Sequence, residues 1–259
     1  MDKPIRWFTP PTLEDGSVPS IKTVSLSRLQ LFEQCPRRAA LSAIYKVPEP
    51  DRPGESPLDR GSRLHKSIED YIQGVTDELD PEVKHHRDTF IEDFRKWHVD
   101  TPAQVEIEER WNFTDDWQTC GDREWDKIWF IVKLDALYHK SEDEAVFVDW
   151  KSGKKNGNEV KHADQLLTYA IATFFRYPDV ESVVSRMIYI DANETSELEI
   201  DRQHAMRFFP RLNNRLLAVT GAQEFPPKPS LSHCRFCPYK TGQIVKGVDG
   251  TAHCDLNPN

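Results

Sequence analysis

The chain has 259 residues, of which 38% are hydrophobic and 30% charged, enough for one large core or two modest ones. No apolar run approaches the roughly 20 residues that cross a bilayer, and Met1–Ser20 lacks the charged-then-apolar pattern of an export signal, so no membrane role and a cytoplasmic setting are expected. The net charge of −9 speaks to solubility and not to a local site. Basic residues gather between Lys22 and Lys66 and again at Lys151, Lys154, Lys155 and Lys161, around an acidic stretch from Glu69 to Glu144, a distribution that permits a basic groove on an acidic body.

Residues 1–20 read as an irregular arm rich in Pro, Ser and Asp. Helical spacing of Leu29, Phe32, Ala39 and Ile44 predicts a helix over 25–45, capped by Ser25 or Ser27 and kinked or divided at Pro36. A Pro-rich loop at 47–57 leads to a helix over about 58–73 with Leu64, Ile68, Tyr71 and Ile72 as its apolar stripe, and 82–98 reads as another helix. From Gln104 the pattern turns to strands: QVEIEERWNF alternates, IWFIVKLDALYH is one long β-favouring run, and AVFVDWK is a short one. The polar segment between the first two reads as a hairpin connection. A helix follows over Lys161–Tyr177, then the buried strand VVSRMIYID, then a helix over Asp201–Val219 capped by Asp201, and a loop tail from Phe225. Helices, three strands, helix, strand, helix and tail make a mixed α/β core with helices on the sheet faces.

The chemistry gathers around the strands. In FVDWKSGK, Asp149 and Lys151 are two apart and so share one face of a strand, with Asp135 of KLDALY able to reach the same spot from the neighbouring strand. Gln165 and Tyr169 lie on one face of the following helix, and His65 and Glu69 on one face of an earlier one. Two close carboxylates repel unless a cation lies between them, and Mg²⁺ and Mn²⁺ prefer such oxygen ligands. A bound ion polarises a phosphodiester and acidifies a nearby water, which an adjacent lysine can orient or deprotonate. Each feature alone has a plain alternative: a surface Asp–Lys pair, a turn aspartate, a packed helix face, a structural histidine.

Five motifs together resemble the RecB-like branch of the PD-(D/E)XK nuclease superfamily, in that family's order and over nearly the whole chain. GSRLHKSIE resembles its histidine motif, Asp135 its first aspartate, DWKSGK its D-x-K-(T/S)-G signature, QLLTY its Q-x-x-x-Y motif, and SRLQLFEQCPRR its N-terminal helix. The resemblance implies a restriction-endonuclease-like fold with a central mixed sheet flanked by helices. It implies that His65, Asp135, Asp149 and the Trp150 carbonyl hold Mg²⁺ or Mn²⁺, that Lys151 serves the attacking water, and that Gln165 and Tyr169 steady Lys151 or contact phosphate, with Glu69 assisting His65. The activity implied is that of an exonuclease on single-stranded DNA or DNA ends, beside a recombination or CRISPR partner. The competing reading is a non-catalytic module that binds DNA or protein, or a component of CRISPR spacer acquisition.

The odd set of five cysteines argues against a disulfide framework. Cys35 with Cys234, Cys237 and Cys254 makes four thiolates, which select zinc or an iron–sulfur cluster, and His233 and His253 leave a mixed zinc centre open. The layout of one cysteine before the nuclease core and three after it is similar to the iron–sulfur members of the RecB-like family, including the AddB subunit and the spacer-acquisition nuclease, and so implies a [4Fe–4S] cluster with Zn²⁺ as the alternative. The gap before Cys254 is longer than is usual there. The expected organisation is an arm at 1–20, a nuclease core at 21–225, and a cysteine-metal subdomain at 226–259 joined to Cys35, while Cys120 reads as a plain thiol.

Overall fold

The computed structural model describes residues 20–47, 49, 54–153, 155 and 157–239. In chain order these form β1 (Val24–Ser25), α1 (Leu26–Gln34), α2 (Pro36–Ala43), α3 (Pro57–Ile72), α4 (Glu92–Asp100), β2 (Val105–Ile107), β3 (Arg110–Phe113), β4 (Thr119–Cys120), β5 (Phe130–Lys133), β6 (Ala136–His139), β7 (Glu144–Lys151), α5 (Glu159–Arg176), β8 (Ser182–Tyr189), β9 (Glu194–Asp201), α6 (Arg202–Thr220) and α7 (Leu231–Cys234). The chain divides into two compact units, one of Met1–Arg52 with Asn213–Asn259 and one of Pro53–Leu212. No helix among the described residues is long and apolar enough to cross a membrane.

In the first unit the Ser25 hydroxyl accepts the Arg28 N–H at 3.3 Å and caps α1. Pro36 divides the helix as its sequence predicts: Cys35 is extended (φ −161°, ψ 104°), and Pro36 opens α2 as its first residue. The tail returns onto these helices. Pro226 accepts the Arg37 N–H at 3.3 Å, Phe225 meets Phe32 edge to face, Arg215 grips Glu33 at 2.6 Å, and the Tyr239 hydroxyl donates to the Val47 carbonyl at 3.0 Å.

In the second unit a capping box between Ser56 and Asp59 starts α3, and Leu64, Ile68, Tyr71 and Ile72 bury one of its faces. The main sheet has the order β2–β6–β7–β8–β9, antiparallel except for β7 and β8, which run parallel with α5 as their crossover. Residues of β7 alternate between two layers. Val146, Val148 and Trp150 join the core formed with α3 and α4, whereas Phe147 packs against the tilted ring of Tyr169 of α5, centroids 4.5 Å apart. A second antiparallel group, β4–β3–β5, carries an aromatic cluster in which Trp117 meets Phe175 at 4.9 Å and Phe209 at 5.1 Å. The mixed α/β, restriction-endonuclease-like core is therefore as expected.

Four local expectations need correction. The alternating run at 104–113 is two strands and not one, because Glu108 takes a positive φ of 51° and turns the chain from β2 into β3. The run at 128–139 breaks at the same level, between β5 and β6, where the Glu108 N–H binds the Asp135 carbonyl at 2.8 Å and the Leu134 N–H binds the Glu109 carbonyl at 3.1 Å. The helix expected over 82–98 is regular only from Glu92, since Phe90 has φ 67° and the Thr89 hydroxyl takes the His86 carbonyl at 2.5 Å. Strand β9 went unforeseen: of its residues only Ile200 is buried, and its Glu-rich exposed face hides the strand pattern.

His86 is buried, its Nε2 2.7 Å from the Ile190 carbonyl and its Nδ1 without a partner. Burial lowers its pKa, against the opposing hydrogen bond to Ile190, so the unfolded chain takes up a proton before the folded one does. Its stability contribution is therefore present above the unfolded histidine pKa and lost as pH falls below it. His65 and Asp149, whose pKa values are raised, act in the opposite sense over the same range, so the expected result is a difference: between pH 7.5 and 5.5 His86→Gln, which keeps a donor for Ile190 without titrating, loses less in thermal midpoint than the wild type. An unchanged slope in that variant contradicts this assignment.

Candidate active site

The site forms in the second unit where α3, the β2–β3 turn, β6, β7 and α5 meet. Gly61 on α3 permits a close approach, since a Cβ there would lie 3.3 Å from the Ser152 hydroxyl. Arg60 donates to the Ser152 carbonyl at 2.8 Å and pairs with Glu82 (2.6 Å) and Asp191 (2.7 Å), tying the start of α3 to the residue after Lys151. One turn later His65 directs Nδ1 to within 3.3 Å of Asp135 Oδ1 and 3.4 Å of Glu108 Oε1. The donor atoms of His65, Glu108 and Asp135 all lie within 4.8 Å of one another. The other Asp135 oxygen accepts the Trp150 N–H at 2.8 Å, which registers Asp135 against the end of β7.

Asp149 is buried, and its Oδ1 accepts from Gln165 Nε2 at 3.0 Å and from Lys151 Nζ at 3.1 Å. Its Oδ2 has no aligned hydrogen-bond donor, although Lys151 Nζ stands 2.8 Å away as an ion-pair partner. Gln165 also meets the Tyr169 hydroxyl at 2.6 Å, so the two α5 residues fix Asp149 and through it Lys151. Glu69 pairs with Lys66 at 3.1 Å. A cleft of about 400 Å³ opens beside His65, lined among others by Gly61, Lys66, Glu69, Glu108, Lys133 and Ser152.

Glu108 escaped the sequence reading. In an alternating run it looked like one more outward carboxylate, and only its positive φ brings it to His65. Its second oxygen pairs with Lys133 at 2.8 Å.

The electrostatics are those of three crowded carboxylates, Asp135, Asp149 and Glu108, set against His65, Lys151 and Lys133. Burial works to lower the His65 pKa, but Asp135, Glu108 and Asp149 outweigh it and push it up to about 11. Burial pushes Asp149 up to about 6, with Lys151 opposing and Asp135 adding to the rise. Asp135 falls below its usual range despite burial, chiefly through His65. Lys151 is raised because Asp149 and Asp135 prevail over burial. A hard divalent cation suits this donor set of imidazole and carboxylate oxygens, and the buried, undonated Oδ2 of Asp149 offers it a ready ligand.

The family model for the PD-(D/E)XK nuclease superfamily matches residues 23–241. The chain belongs to that superfamily. His65, Asp135, Asp149, Lys151, Gln165 and Tyr169 all fall within the matched span. Among solved structures the chain is similar to SSO0001, at 15% identity and a TM-score of 0.41 over 86% of each chain. It is also similar to a candidate exonuclease from Eubacterium rectale, at 9% identity and a TM-score of 0.44 over 80% of this chain and 85% of that one. No curated protein sequence matches significantly.

Cys35, Cys234 and Cys237 belong to the first unit. Cys35, Cys234 and Cys237 line one small cavity of about 30 Å³, together with Arg38, Lys228 and His233. Cys35 stands there because Pro36 breaks the helix at it, and Ser230 N–H reaches Cys234 Sγ at 3.4 Å. No disulfide joins the four described cysteines. Cys254 lies outside the described residues, and Cys120 sits in β4, where burial raises its thiol pKa.

Proposed function

We propose that this protein is a Mg²⁺- or Mn²⁺-dependent deoxyribonuclease that hydrolyses phosphodiester bonds, acting as an exonuclease on single-stranded DNA or DNA ends. The observation that carries the reading is the convergence of His65, Glu108 and Asp135 within 4.8 Å, beside an Asp149–Lys151 pair at 2.8 Å. His65, Asp135, Asp149 and the Trp150 carbonyl would hold the ion, with Glu108 as a further oxygen ligand. When bound, the ion supplies Lewis-acid stabilisation of charge on the phosphodiester.

The protein's own groups do the rest. Gln165 fixes one oxygen of Asp149 and leaves the other for the ion. Asp149 and Asp135 hold Lys151 as an ammonium, and it loses that support when the carboxylates turn to a cation. Lys151 then stands where it can orient the attacking water and receive or relay its proton. No sequence-reading element stands out, so recognition would run through phosphates and base stacking.

In the same spirit, Cys35, Cys234, Cys237 and Cys254 would hold a [4Fe–4S] cluster, with Zn²⁺ as the alternative. Support comes from three of these thiols lining one cavity. The test of function is digestion of 5′- and 3′-end-labelled single- and double-stranded DNA with Mg²⁺, Mn²⁺ or chelator. Progressive shortening of single strands or ends only with metal is expected. Internal cuts alone would overturn the exonuclease mode, and DNA retention without degradation would favour a binding module.

A further inference from the structure

Building on the nuclease reading, we propose that Lys161 is a substrate-binding residue that takes a DNA phosphate next to the scissile one. Lys161 lies in the first turn of α5, one turn before Gln165, whose amide touches Asp149 at 3.0 Å. Residues four apart share a helix face, so Lys161 is on the face that meets the active site. The side chain is exposed.

What sets Lys161 apart is its company. Four other described lysines around the site each have a carboxylate: Lys151 has Asp149 (2.8 Å), Lys133 has Glu108 (2.8 Å), Lys155 has Glu194 (3.0 Å), and Lys66 has Glu69 and Asp70 (3.1 and 3.0 Å). Among the described residues no carboxylate pairs with Lys161, and the charge it feels is that of Lys151. Partial burial and that repulsion lower its pKa, and they act in the same sense on neighbouring His162, which turns to the Tyr189 hydroxyl at 2.7 Å.

A cation in the first helical turn also opposes the helix dipole, which favours anions there. An ammonium in the first turn of α5 with no paired carboxylate among the described residues is thus unfavourable in the free protein. A phosphate bound at Lys161 offsets both penalties, and a polyanionic strand crossing the site supplies it.

The test is the affinity of a fluorescent single-stranded oligonucleotide for the full-length protein, by anisotropy in Ca²⁺ or chelator over a range of salt. Lys161→Ala is expected to bind roughly 5- to 10-fold more weakly at low salt, with the slope of log K against log salt smaller by about 0.7, the share of one phosphate on a single strand. Lys161→Arg should restore both, and under Mg²⁺ the KM of Lys161→Ala should rise in parallel with Kd. An unchanged salt slope in Lys161→Ala overturns the proposal while leaving a cleaving wild type as a nuclease. A wild type that binds DNA but never cleaves it, with the slope change intact, overturns the nuclease reading alone. Absence of DNA binding by the wild type overturns both.

Discussion

Lys151→Ala is expected to lower the rate of DNA hydrolysis by at least about a thousandfold, the scale of removing a group that stabilises charge in the transition state. The effect should fall on kcat, because Lys151 is bound to Asp149 inside the site and its side chain is half-buried there. Asp149→Asn should be as damaging for a different reason. It removes an ion ligand and leaves the Lys151 ammonium without its nearest counter-charge. Circular dichroism and single-turnover kinetics at saturating DNA separate lost chemistry from lost folding. Lys151→Ala retaining more than a tenth of wild-type turnover, while folded, would contradict the assignment.

The second large effect concerns the thiols. Cys35 and Cys234 are about 200 residues apart in sequence, and a metal centre joining them closes almost the whole chain. By loop-closure arithmetic such a tie is worth about 5 kcal/mol, or a drop of roughly 10–20 °C in Tm for a chain of this size when it is lost. Cys237→Ala and Cys35→Ala are both expected to show that drop, with loss of the brown colour of anaerobically purified protein, and Cys120→Ala is expected to show neither. A colourless wild type with stoichiometric zinc would replace the cluster by zinc and keep the tie. Unchanged melting in both variants would remove the tie altogether.

Much of the site was readable from spacing because the relevant periods are rigid. Asp149 and Lys151 had to share a strand face, and Gln165 and Tyr169 a helix face; the structure adds that Gln165 touches Asp149 and not Lys151 directly. Pro36 was a reliable divider because it restricts the residue before it. Glu108 was not readable, since its place depends on a left-handed backbone that no local pattern announces in a glutamate. The same turn explains why two long β-favouring runs each became two strands: a polar pair at Glu108–Glu109 and the Leu134–Asp135 step exchange hydrogen bonds across the break. Strand β9 was hidden by its exposure, for an edge strand that buries little shows little alternation.

The most direct test is a crystal grown or soaked with Mn²⁺ and measured at a wavelength where manganese scatters anomalously. One strong peak is predicted at about 2.0–2.2 Å from the His65 imidazole and from carboxylate oxygens of Asp135 and Asp149, with Lys151 drawn off Asp149. A manganese ion bound elsewhere, or none at these residues under conditions in which the protein cuts DNA, would contradict the account.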